Sequence, residues 1–82
     1  MRTHGTLWFY PPVSVKTRQT GVRYEVNNVQ AAAENLLEWP KRGPHWNKAV
    51  QACLAALAGE LSPDDVRTAF EAAARNEGLL LD

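Results

Sequence analysis

Eighty-two residues carrying nine Lys or Arg against nine Asp or Glu allow one small domain and lack the basic excess usual in nucleic-acid binders. A single cysteine cannot close an intramolecular disulfide, and Cys53 with only His4 and His45 makes a poor zinc set, so stability must come from packing or from a second copy. The N-terminus shows no apolar signal segment and the longest uninterrupted apolar run, residues 52–58, is far too short to cross a bilayer, so a soluble cytoplasmic protein is expected, with no membrane contact and no cofactor.

One domain, residues 1–82, is expected. After a flexible start over 1–6, Leu7, Trp8, Phe9 and Tyr10 form an aromatic-rich lead. Val13 and Val15 alternate with Ser14 and Lys16, and beyond a polar turn at 17–21 the run Val22-Arg23-Tyr24-Glu25-Val26 alternates again. This predicts an antiparallel β-hairpin over 7–26, with Tyr24 in the core beside Val22 and Val26. Pro11 and Pro12 cannot donate to a ladder, which puts that end at an edge or ahead of the pairing.

The first helix is predicted over 28–39, capped by Asn27 or Asn28, with Gln30 placed as in a capping box and an apolar stripe at Val29, Ala32, Ala33, Leu36 and Leu37. Pro40 ends it, and Gly43-Pro44 starts the second helix, 44–58, because a proline in the first turn gives up no needed donor. Trp39 and Trp46 flank this joint. They either wedge the helices apart or form an exposed aromatic clamp beside Lys41 and Arg42. The second stripe comprises Trp46, Ala49, Val50, Cys53, Leu54 and Leu57, and Gly59 supplies a left-handed stop. A third helix, 63–77, starts with Ser62 as cap, Pro63, and Asp64 and Asp65 at the positive end of the dipole; it buries Val66, Ala69, Phe70 and Ala73 and stops at Gly78. The tail 79–82, with Leu79, Leu80 and Leu81, is too apolar to be free and docks either as a strand beside the hairpin or against another subunit. The fold class expected is therefore α+β: an N-terminal antiparallel hairpin, with or without a short C-terminal third strand, packed on three helices in the order ββααα(β).

The sequence of features from Pro11-Pro12-Val13 through Leu36-Leu37-Glu38-Trp39-Pro40, Gly43-Pro44, Ala49-x-x-x-Cys53-Leu54-x-Ala56-Leu57-x-Gly59, Ser62-Pro63, Arg67, Ala69-Phe70, Ala72-Ala73-Ala74 and Gly78 resembles the small alphaproteobacterial domain of unknown function 982 over nearly the whole chain. Val66 and Glu71 depart from that pattern, where alanine and an apolar residue are usual. The resemblance implies this fold and a cytoplasmic bacterial setting. It implies no activity and carries over no catalytic residue.

No constellation for catalysis is legible. Cys53 sits inside an apolar stripe, where burial makes a thiol inert, His45 has no acid near it in sequence, and Asp64 and Asp65 point about 100° apart on a helix. The five glycines are scattered, with no phosphate loop, and no metal-ligand spacing occurs. Charge is uneven, however: residues 1–48 hold seven Lys or Arg against three Glu, whereas 49–82 hold two Arg against six acids. Lys16, Arg18, Arg23, Lys41 and Arg42 are the candidate contacts for a polyanion, with Trp8, Phe9, Tyr10 and Tyr24 available to stack bases. The favoured reading is different: a non-catalytic interaction module, forming a homodimer or meeting an unknown protein partner, because the apolar supply exceeds what one hairpin can cover. Its candidate surface is Trp8, Phe9, Tyr10, Leu79, Leu80 and Leu81.

Overall fold

The computed structural model describes residues 5–17 and 19–81. Met1, Arg2, Thr3, His4, Arg18 and Asp82 lie outside the described residues, and with them part of the expected flexible start and one candidate polyanion contact. The order is β1 (Trp8–Lys16), β2 (Arg23–Asn28), α1 (Val29–Leu37), α2 (Pro44–Leu57) and α3 (Pro63–Asn76), the ββααα arrangement expected. No helix among the described residues is long and apolar enough to cross a membrane.

The strands pair antiparallel, with Val13 opposite Val26, Val15 opposite Tyr24 and Lys16 opposite Arg23. Trp8 faces Asn28, so the four residues between Trp8 and Val13 oppose Asn27 alone and bulge out of the ladder. Pro11 and Pro12 fall in this bulge, where their missing donors cost no ladder bond. The bulge also turns Phe9 inward, so it joins the core at 5% exposure and is withdrawn from the expected surface. On the other edge of β1 the C-terminal segment docks: the Lys16 amide donates to the Leu79 carbonyl and the Leu81 amide to the Ser14 carbonyl, both at 2.8 Å, with Leu80 opposite Val15. Of the two alternatives for the tail, docking beside the hairpin is the one seen, as a single bridge and not a full strand, and β1 lies between it and β2.

Helix α1 is capped by Asn28, whose Oδ1 accepts from the Ala31 amide at 2.7 Å. Gln30 does not complete a capping box. Its Oε1 instead accepts from the Leu7 amide at 3.2 Å and holds the lead into β1. In α3 the Ser62 Oγ accepts from the Asp65 amide, as the sequence suggested. Gly59 and Gly78 take positive φ, +81° and +72°, and each is followed by the long backbone bond of a Schellman turn: the Glu60 amide to the Ala55 carbonyl and the Leu79 amide to the Ala74 carbonyl, both 2.8 Å. The second of these turns redirects the chain from α3 to the edge of β1.

One core joins the layers. Val13, Val15 and Val26 pack from the sheet onto Val29, Ala32 and Leu36 of α1 and onto Val66, Phe70 and Ala73 of α3. Phe70 is fully buried, worth about 2–3 kcal/mol on burial alone, and Trp39 lies against it with ring centroids 5.7 Å apart. Helix α2 turns Ala49, Cys53 and Ala56 inward. Small residues let α2 approach its neighbours closely, and that excludes the bulkier side chains beside them. Leu54 and Leu57, expected in the stripe, are therefore about half exposed, as is Leu37 of α1. Tyr24 also departs from expectation. It shares the inner face with Val26, but it overhangs the end of α1 and is 44% exposed.

Candidate functional site

The joint between α1 and α2 is stitched at atomic level. The last carbonyls of a helix have no partner within it, and the loop supplies donors from outside. The Trp46 indole N–H reaches the Leu36 carbonyl at 2.7 Å, and the Arg42 guanidinium donates to the Leu37 carbonyl at 2.9 Å while lying 4.7 Å above the Trp46 ring. Trp39 donates its indole N–H to Asn35 Oδ1 at 2.8 Å. Both tryptophans are thus engaged within the fold, as wedges, and Arg42 is engaged with them. Lys41 is exposed and makes no hydrogen bond or ion pair among the described residues.

A second set of contacts anchors α3 to the bulge. The Arg67 Nε donates to the Pro11 carbonyl at 2.6 Å, and its guanidinium pairs with Glu71 at 3.5 Å. Glu71 also meets Arg75 at 3.9 Å. These acidic and basic groups are satisfied one turn apart on a single helix, which accounts for a charged residue at Glu71.

Among the described residues the groups able to do chemistry do not converge. Cys53 is buried, and burial pushes its thiol up to about 11, away from the reactive thiolate. His45 is exposed in the first turn of α2, eight residues earlier on the same helix and so about 12 Å away along its axis. A nucleophile and its base need about 3 Å. Asp65 is occupied with Ser62, accepting from its hydroxyl at 3.0 Å. No group of three or more His, Cys, Asp or Glu that could hold a metal occurs among the described residues.

What the surface does present is apolar. Beside the bulge Trp8 and Tyr10 stand exposed, Tyr10 at 83%. Leu79, Leu80 and Leu81 are partly buried, because the bridge to β1 covers them and Leu79 and Leu80 pack against the core. On the flank of α2, Leu54 and Leu57 stand exposed one turn apart beside the partly buried Val50, and Leu61 continues beyond the helix. Under the turn end of the hairpin a groove of about 690 Å³ opens between Tyr24, Trp39 and Leu79, with Lys16, Glu34 and Glu38 on its rim. The sequence pattern missed Val22, Tyr24, Leu37, Leu54 and Leu57 as surface groups. For Leu54 and Leu57 the signal was available in the alternation of alanine with leucine along α2, since the alanines mark the side of close approach.

The remaining candidate cations are Lys16 and Arg23, exposed and opposite each other at the end of the ladder. Glu34 and Glu38 share the groove rim with Lys16 and offset its charge.

Comparison with known proteins agrees with this picture. No curated protein matches the chain. An NMR structure of the Agrobacterium tumefaciens protein Atu1219 is similar with a TM-score of 0.74 and 33% identity, covering 93% of this chain and 77% of that one. Residues 11–81 match the family described as "Protein of unknown function (DUF982)". With most of the hairpin, the joint and all three helices inside that match, the chain belongs to the DUF982 family.

Proposed function

We propose that this domain is a non-catalytic protein-interaction module that acts as a homodimer in the cytoplasm. The observation that carries the reading is the amount of large apolar side chain left uncovered: Trp8, Tyr10, Leu37, Leu54 and Leu57 are each about half exposed or more on a domain of 82 residues. Contiguous apolar surface beyond a few hundred Å² marks association sites on soluble proteins. A second copy is the favoured occupant because the chain is electrostatically self-complementary, basic over 1–48 and acidic over 49–82, and a closed two-fold pair sets one half against the other. The inert thiol and the separation of Cys53 from His45 support a role without catalysis. A single unpaired cysteine suits a reducing compartment.

Sedimentation velocity over a series from low micromolar to near-millimolar protein tests this. A dimer boundary growing with concentration is the expected result. A monomer throughout the series rejects the reading.

A further inference from the structure

Building on the homodimer reading, we infer that two copies join through their β2 strands, paired antiparallel about a two-fold axis between the two Tyr24 residues. The backbone sets the geometry. Ser14 and Lys16 direct their carbonyl and amide toward the C-terminal segment, so Val13 and Val15 direct theirs toward β2. In an antiparallel ladder the facing groups alternate. Tyr24 and Val26 therefore use theirs on β1, in line with the Thr17 amide bonding the Val22 carbonyl at 3.3 Å, and those of Arg23 and Glu25 point away from the sheet. Nothing among the described residues meets them there.

An open strand edge is a template for another strand, and proteins that stay single blunt it with proline, bulges, charged side chains, lysine above all, or a covering element. The sequence from Arg23 to Val26 has no proline, bulge or lysine, and its two charges are of opposite sign, so they can pair with a second copy instead of repelling it. It carries Arg23 and Glu25, opposite charges two residues apart on the outer face. Pairing about Tyr24 sets Arg23 of each copy against Glu25 of the other, at sites where both backbone bonds form. The symmetric registers displaced by one step either way set Arg23 against Arg23 or Glu25 against Glu25, so charge alone selects one register. Within the chain Arg23 faces Lys16, a like charge across the ladder, and the ion pairs among the described residues all belong to Glu71. A second copy supplies the missing partner. At the axis the two half-exposed Tyr24 side chains fall on a close, non-hydrogen-bonded pair, about 4.5 Å between Cα atoms, where aromatic side chains stabilise each other across strands.

The test is a charge swap on the full chain, with the dissociation constant read by sedimentation and folding checked by circular dichroism. R23E and E25R alone each replace two opposite-charge contacts by two like-charge ones, and each is expected to weaken dimerisation roughly tenfold or more. The double variant R23E/E25R, and an equal mixture of the two single variants, restore opposite charges at both contacts and are expected to return to within about threefold of the parent. A parent dimer that ignores the single reversals, or single reversals that neither the double variant nor the mixture rescues, overturns the β2 pairing while leaving the homodimer standing. In the first case loss of the dimer in Leu54→Lys would place the contact on α2 instead. A parent chain that never dimerises overturns both.

Discussion

Replacing Trp46 by phenylalanine removes one hydrogen bond from the α1–α2 joint while keeping an aromatic face for Arg42. The indole N–H meets the Leu36 carbonyl at 2.7 Å, and that carbonyl also receives the Trp39 amide at 3.2 Å, so the substitution does not orphan it. The cost is then the net value of one bond, about 1 kcal/mol, and not the larger penalty of a stranded polar group. A domain of this length holds about 4–12 kcal/mol in total, so the loss lowers the melting temperature by about 4–8 °C. Trp46→Leu removes the ring as well, and with Arg42→Ala it completes a double-mutant cycle. The guanidinium 4.7 Å above the ring at a partly exposed site is expected to give a coupling of about 0.5–1 kcal/mol. Urea unfolding followed by far-ultraviolet circular dichroism reads each value without relying on tryptophan emission. If Trp46→Phe matches the parent within a few tenths of a kcal/mol at unchanged slope, the indole bond does not hold the joint, and the account of how α2 is positioned fails.

Gly78→Ala places a side chain at φ +72° with nothing within 4 Å of its Cβ, so only backbone strain opposes it; a loss of about 1 kcal/mol is expected in urea unfolding, together with faster amide exchange at Leu81. Ser62→Ala deletes the acceptor for the Asp65 amide and is expected to cost about 1 kcal/mol by the same assay, with Ser62→Gly costing less. Native Cys53 is expected to resist Ellman's reagent at pH 8 and to react fully in urea; fast reaction in the folded protein would contradict its burial. Because the folded thiol lies at about 11 against 9.0 unfolded, its contribution is fully present below pH 9 and lost as pH rises toward 11, about 3 kcal/mol at most. The stability difference between parent and Cys53→Ala should accordingly be flat below pH 9 and shift against the parent above it.

The backbone punctuation was readable from residue types alone. Gly43-Pro44, Gly59, Ser62-Pro63 and Gly78 each act locally, through a missing donor, a cap or a permitted positive φ, and each falls at or next to the helix end it announced, whereas α1 stops at Leu37, three residues short of Pro40. The valine alternation likewise fixed the inner face of the hairpin. Reading faltered where tertiary approach decides. Whether Ala49 or Leu54 faces inward depends on how near α2 comes to α3, and hydrophobicity ranks the leucine first. The bulge was visible as Pro11-Pro12, yet its consequence, Phe9 turned inward while Trp8 and Tyr10 stay out, needs a register that no periodicity encodes. Asn27 and Asn28 are equal as caps in composition, and the strand decides between them by continuing through Asn28 opposite Trp8. Tyr24 keeps the right parity but lies past the end of the helix that would have covered it. The open edge of β2 follows from where the C-terminal segment docks, which the sequence left undecided between a strand and an interface.

The most direct test of the whole account is an isotope-filtered nuclear Overhauser experiment on an equal mixture of labelled and unlabelled chain at near-millimolar concentration. Contacts between copies, centred on the Tyr24 ring and the backbone of Arg23 and Glu25, are the expected result. A sample at that concentration with contacts only within each chain would contradict the claim that this domain uses its uncovered surface to join a second copy of itself.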